Sequence, residues 1–92
     1  MKIMVLGADG FCGWPTSLKL AKEGHDIIMI DNLSRRKIDL QLESNSLTNI
    51  YNIYDRMEAA RKIGYSLYFI NCDISDYDNF SRYVDQHRPD AI

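Results

Sequence analysis

The chain has 92 residues, 46% of them hydrophobic and 26% charged, and its 11 basic against 13 acidic side chains leave a net charge of -2. That composition suits one small globular domain with a single modest core. A mildly acidic balance lacks the long-range attraction to nucleic-acid phosphates or anionic lipids, and apolar runs such as Ile27 to Ile30 are far too short to cross a bilayer, so neither partner is expected.

Met1-Lys2 leads directly into "KIMVLG" with no apolar segment and small-residue cleavage site, which points to a cytoplasmic setting. Lys2 to Leu6, apolar and β-branched and ending at glycine, reads as a strand buried on both faces, as in a parallel sheet. "GADGFCG" follows, with glycines at 7, 10 and 13. Pro15 suits the first turn of a helix from Gly13 to about Glu23, where Leu18 and Ala21 keep the helical spacing and Gly24 stops it. "DIIMID" gives a second strand, Asp26 to Ile30. The polar stretch from Asn32 to Asn52 matches neither period and reads as a long excursion, a feature that in compact domains tends to serve a site.

Ile53, Met57, Ala60 and Ile63 then mark one face of a second helix ending before Gly64. "SLYFINCDI" holds the third strand. A third helix is expected from the capping residues Ser75 and Asp76 to Pro89, with Phe80, Tyr83 and Val84 on its apolar face. "DAI" at the end begins a fourth strand. The alternation β-α-β-loop-α-β-α-β predicts an α/β fold, a Rossmann-type doubly wound parallel sheet of order 3-2-1-4. The short tail can hardly complete strand four, so strand one is expected to present an open, self-associating edge.

Cys12 and Cys72 have no CxxC partner and read as reduced thiols; His25 and His87 are isolated and receive no catalytic role. Trp14 and the six tyrosines read as packing residues. The chemistry lies in the glycines, because they follow a strand and open a helix, and Asp31 ends the next strand about twenty residues on. In a dinucleotide site Gly7 permits the tight turn, Gly10 lets the main chain approach a pyrophosphate, and Gly13 allows close packing of helix on strand. The helix N-terminus supplies N–H donors for the anion. Asp31 would accept hydrogen bonds from the adenosine ribose and repel a 2'-phosphate, which favours NAD, although Arg35 and Arg36 lie close enough in sequence to hold such a phosphate. Asp73 and Ile74, at the end of strand three, either reach adenine or form a plain strand-end turn; position alone leaves both open.

"GADGFCGWP", "DNLSRR", "ESNSLTNIYNIYDR" and "NCDISD" resemble, in order and spacing, the N-terminal part of the UDP-sulfoquinovose synthase family of extended short-chain dehydrogenases/reductases. The resemblance implies that Gly7, Gly10, Phe11, Cys12 and Gly13 meet the phosphates of NAD, that Asp31, Asn32, Leu33 and Ser34 hold the ribose, with Arg36 nearby, and that Asp73 and Ile74 lie against adenine. It implies a reaction of UDP-glucose with sulfite in which NAD is recycled, and the UDP-sulfoquinovose formed donates a sulfolipid headgroup. The full-length protein is expected to be a homo-oligomer. That reaction needs a Tyr-x-x-x-Lys pair, and no tyrosine of this chain has a lysine four residues on. The chain is therefore expected to be an N-terminal portion of an NAD-binding domain, inactive alone. Alternatives are a stand-alone nucleotide- or partner-binding module, or an enzyme of the UDP-glucose 4-epimerase or nucleotide-sugar dehydratase kind.

Overall fold

Three apolar runs of the sequence become the strands of one parallel sheet in the computed structural model, which describes residues 1–34 and 52–92. They are β1 (Lys2–Leu6), β2 (Asp26–Asp31) and β3 (Leu67–Asn71), in the spatial order β1-β2-β3. Met4 lies opposite Ile28, and Ile28 opposite Tyr68, so the carboxyl ends of all three strands reach the same edge of the sheet. Among the described residues three helices alternate with them: α1 (Gly13–Lys22), α2 (Ile53–Lys62) and α3 (Tyr77–His87). The polar excursion read from the sequence falls largely on residues 35–51, outside the described residues.

β2 is the organising strand. Its side chains alternate across the sheet, so Ile27 and Met29 enter one core while Ile28 and Ile30 enter the other. The first core is closed by α1 and α2 through Ala21, Ile53, Met57 and Ala60. The second packs Met4, Ile28, Ile30, Ile70 and Cys72 under Phe80, Tyr83 and Val84 of α3. Helices on both faces make this a Rossmann-like doubly wound sheet. Met29 is fully buried, and cutting it to alanine would cost about 2–5 kcal/mol in lost burial and cavity.

The helix starts show how local chemistry fixes the elements. At α2 the Asn52 side chain accepts the Asp55 N–H at 2.9 Å and donates to the Asp55 carboxylate at 2.9 Å, a reciprocal cap that satisfies one of the helix's orphan donors. Asp76 caps α3 by accepting from Asn79. Ser75, expected to share that cap, instead donates to Asp73.

Three further expectations need correction. Ile63 is 68% exposed and not on the buried face of α2, because the helix closes at Lys62 and Ile63 is its C-cap. β1 is only partly buried apart from Met4; the strand buried on both faces is β2. The outer edge of β1 is not open along its length: the Met4 N–H donates to the Ala91 carbonyl at 2.9 Å, the Asp90 N–H donates to Lys2 at 2.7 Å, and Ile3 and Ala91 form a parallel bridge. The tail thus bridges the start of β1 on the side away from β2, without adding a fourth strand to the sheet.

Candidate functional site

The chain leaves β1 in a turn that docks on the end of β2. Gly7 adopts a φ of 70°, a left-handed conformation that glycine takes without strain, and from there the N–H groups of Gly7 and Ala8 both donate to the Ile30 carbonyl, at 2.8 and 3.2 Å. A Cβ on Gly13 would lie 2.0 Å from the Gly7 carbonyl oxygen, and one on Gly10 would lie 3.1 Å from the same oxygen. Gly13 is therefore the closest contact of helix and turn, and Gly10 a tight but less extreme one. The Trp14 N–H donates to the Gly10 carbonyl at 3.2 Å and begins the ladder of α1. The amides of Phe11, Cys12 and Gly13 precede it, at the end of the helix where partial positive charge collects.

Asp31 ends β2 beside this turn and bridges two pieces of backbone. One carboxylate oxygen accepts the Asp9 N–H at 3.0 Å and the other accepts the Leu33 N–H at 2.6 Å. Each oxygen retains a further lone pair. Leu33 takes a φ of 60°, left-handed and uncommon for a branched side chain, and turns the chain sharply after the strand. The Asn32 side chain accepts the Ser34 N–H at 2.9 Å. Across the sheet edge, Asp73 accepts the Ser75 N–H at 2.9 Å and its hydroxyl at 2.7 Å; these bonds, with one from Asn32, hold the Asp73 carboxyl below its ordinary range. Ile74 is 50% exposed beside it, while Cys72 is buried in the sheet's second core, where burial pushes its thiol up.

The glycine turn, Asp31–Ser34 and Asp73-Ile74 thus gather at the carboxyl ends of β1, β2 and β3. Arg35 and Arg36 lie outside the described residues. Sequence reasoning gives no role to Asp9 or Arg56 and reads Trp14 as packing. The Asp9 carboxylate, on the glycine turn, is paired with the Arg56 guanidinium from α2, which also lies 4.6 Å from the centre of the Trp14 ring. Trp14 is therefore more than packing; it is one wall of a constellation. The partners are 47 residues apart, so the only signal was their presence in the motifs "GADG" and "YDR".

A recess of about 530 Å³ between α1 and α2 is lined by Trp14, Leu18, Arg56, Ala59, Ala60 and Tyr65 and by none of the candidate residues at the strand ends. The residues suited to a dinucleotide are at the strand ends instead. They supply a turn closed to any Cβ at Gly13, a row of amides at a helix start for a diphosphate, and a carboxylate one strand away for ribose hydroxyls, so the donor set fits such a group.

The sequence model of the NAD dependent epimerase/dehydratase family matches residues 3–92. The chain is similar to UDP-sulfoquinovose synthase of Sulfolobus acidocaldarius, 42% identical over all of this chain and 24% of that protein. It is 36% identical to the chloroplastic UDP-sulfoquinovose synthase of Spinacia oleracea over 99% of this chain and 19% of that protein. A UDP-glucose 4-epimerase of Neisseria meningitidis serogroup B is 28% identical over 99% of this chain and 22% of its own length. The chain thus spans about a quarter or less of the curated relatives it matches. Among solved structures, carveol dehydrogenase of Mycobacterium avium in complex with NAD shares the fold, with a TM-score of 0.64 at 19% identity over 92% of this chain and 29% of that one.

Proposed function

The chain belongs to the NAD dependent epimerase/dehydratase family, whose cofactor is NAD, and on that premise we propose that it is the NAD-binding part of a UDP-sulfoquinovose synthase. The observation that carries the cofactor assignment is the Asp31 carboxylate, held beside the glycine turn by the Asp9 and Leu33 amides. In this reading the amides of Phe11, Cys12 and Gly13 receive the diphosphate at the start of α1. Asp31 accepts the adenosine ribose hydroxyls, with Asn32, Leu33 and Ser34 shaping that side. Asp73 and Ile74 border adenine, the carboxylate kept ionised by its Ser75 bonds and ready to accept from the amino group.

Once bound, NAD supplies the acceptor and later the donor of a hydride at the sugar. The conversion is of UDP-glucose and sulfite to UDP-sulfoquinovose and water, which leaves NAD unchanged overall. The side chains of this chain bind, orient and exclude water around the adenosine end. A tyrosine base assisted by lysine, absent from these 92 residues, belongs to another part of the whole protein in this account. The choice of sulfite chemistry rests on the 42% and 36% identities, which exceed the 28% to the epimerase.

The test is to supply the whole protein with UDP-glucose, sulfite and a trace of NAD and follow the nucleotide sugars by mass spectrometry. A sulfonated UDP-hexose formed in excess over NAD supports the proposal. UDP-galactose with no sulfonate assigns it to the epimerases, and NAD binding with no turnover assigns a binding module.

A further inference from the structure

The glycine turn carries a negative charge where it should be least welcome. Asp9 lies between Gly7 and Gly10, its carboxylate is only 5% exposed, and its own N–H is committed to Asp31. A desolvated carboxylate in a turn built for anions opposes the arriving diphosphate, because charge interactions strengthen as water is removed. The same carboxylate is paired with Arg56, whose side chain is 15% exposed and stacked against Trp14. Arg56 stands in the first turn of α2, and that helix is locked by Ile53 and Met57 into the core that also holds Ala8 of the turn. One guanidinium therefore joins the glycine turn, the second residue of α1 and the start of α2.

We propose that Arg56 is a positioning residue for the dinucleotide diphosphate, acting through Asp9: it offsets the carboxylate's charge and sets the turn's orientation. The inference rests on the assignment of this turn to NAD. Arginine suits the task because its planar fork can bond a carboxylate while its face lies on an aromatic ring, which lysine cannot do.

Calorimetric titration of the whole protein with NAD, for wild type, R56K, R56Q and the double variant D9N/R56Q, tests the idea alongside the melting temperature of each without NAD. R56Q removes a charged partner from a buried carboxylate and is expected to weaken NAD about ten- to a hundredfold, the scale of one charge-assisted contact. R56K should fall between R56Q and wild type. D9N/R56Q removes the carboxylate charge as well and should recover most of the lost affinity. Arg56 acting only as a structural brace predicts instead that the double variant binds as poorly as R56Q, and that result overturns the proposal, as does unchanged affinity in R56Q. If R56Q does not fold, the double variant against R56K decides: affinity in D9N/R56Q equal to or above R56K supports charge compensation, and lower affinity overturns it. A wild-type protein that binds no NAD brings down the cofactor assignment and this inference with it, whereas wild-type binding with indifferent variants brings down this inference alone.

Discussion

Replacing Asp31 with alanine separates the duty that the structure shows for its carboxylate from the one proposed for it. The side chain anchors the Asp9 amide at 3.0 Å and the Leu33 amide at 2.6 Å, and in the proposed complex it also accepts ribose hydroxyls. Loss of the backbone anchors loosens the glycine turn and the strand-end bend, and this harms NAD and NADP alike. Loss of the ribose bonds harms NAD alone, at about 1.5–3 kcal/mol for hydrogen bonds to a charged group, or roughly ten- to a hundredfold in affinity. Removal of the negative charge also relieves the repulsion of a 2'-phosphate. The diagnostic quantity is therefore the ratio of the two dissociation constants, in which the shared anchor term cancels. Titration calorimetry of the whole protein with each dinucleotide should show that D31A erases most of the preference for NAD. An unchanged ratio, with both affinities falling together, would mean that Asp31 only braces the turn.

Glycine substitutions should rank by space and conformation. G13A drives a Cβ to 2.0 Å from the Gly7 carbonyl oxygen and is expected to lower stability by about 1–3 kcal/mol or more and abolish NAD binding. G24A meets nothing within 4 Å but sits at a φ of 94°, so thermal unfolding should report a loss of roughly 1 kcal/mol with NAD affinity intact. Asp73 has its carboxyl lowered mainly by the Ser75 hydroxyl and then by the Ser75 amide. A depressed folded-state value favours the folded form above the ordinary value of 3.8 and loses that effect as pH falls through the folded value. NMR titration should place Asp73 below 3.8, and S75A should move it upward. Thiol alkylation at neutral pH should label exposed Cys12 and spare Cys72, which is buried and has a raised pKa. Saturating NAD should slow labelling at Cys12.

The parts of the fold legible in the sequence were those governed by local rules. β1 and α2 begin where the apolar period places them, and Gly7 turns where a strand must end. That the candidate-site residues meet at the strand ends was legible because a strand, a glycine turn and a strand-end acid have a fixed spatial relation in a parallel sheet. What local rules do not contain is pairing between distant segments. Arg56 finds Asp9 only after α2 has packed on the sheet, so in the sequence Trp14 reads as a packing residue and Asp9 receives no role. At β1's outer edge "DAI" reads as the start of a strand, but the bond of Ala91 with Met4 at 2.9 Å, which closes part of that edge, joins the two ends of the chain and is not contained in the local pattern.

A crystal structure of the whole protein with NAD tests the central claim most directly. The account predicts the diphosphate on the amides of Phe11 to Gly13, the adenosine ribose within hydrogen-bonding distance of Asp31, and adenine beside Asp73 and Ile74. NAD lodged in the recess between α1 and α2, or bound with its ribose away from Asp31, would contradict it.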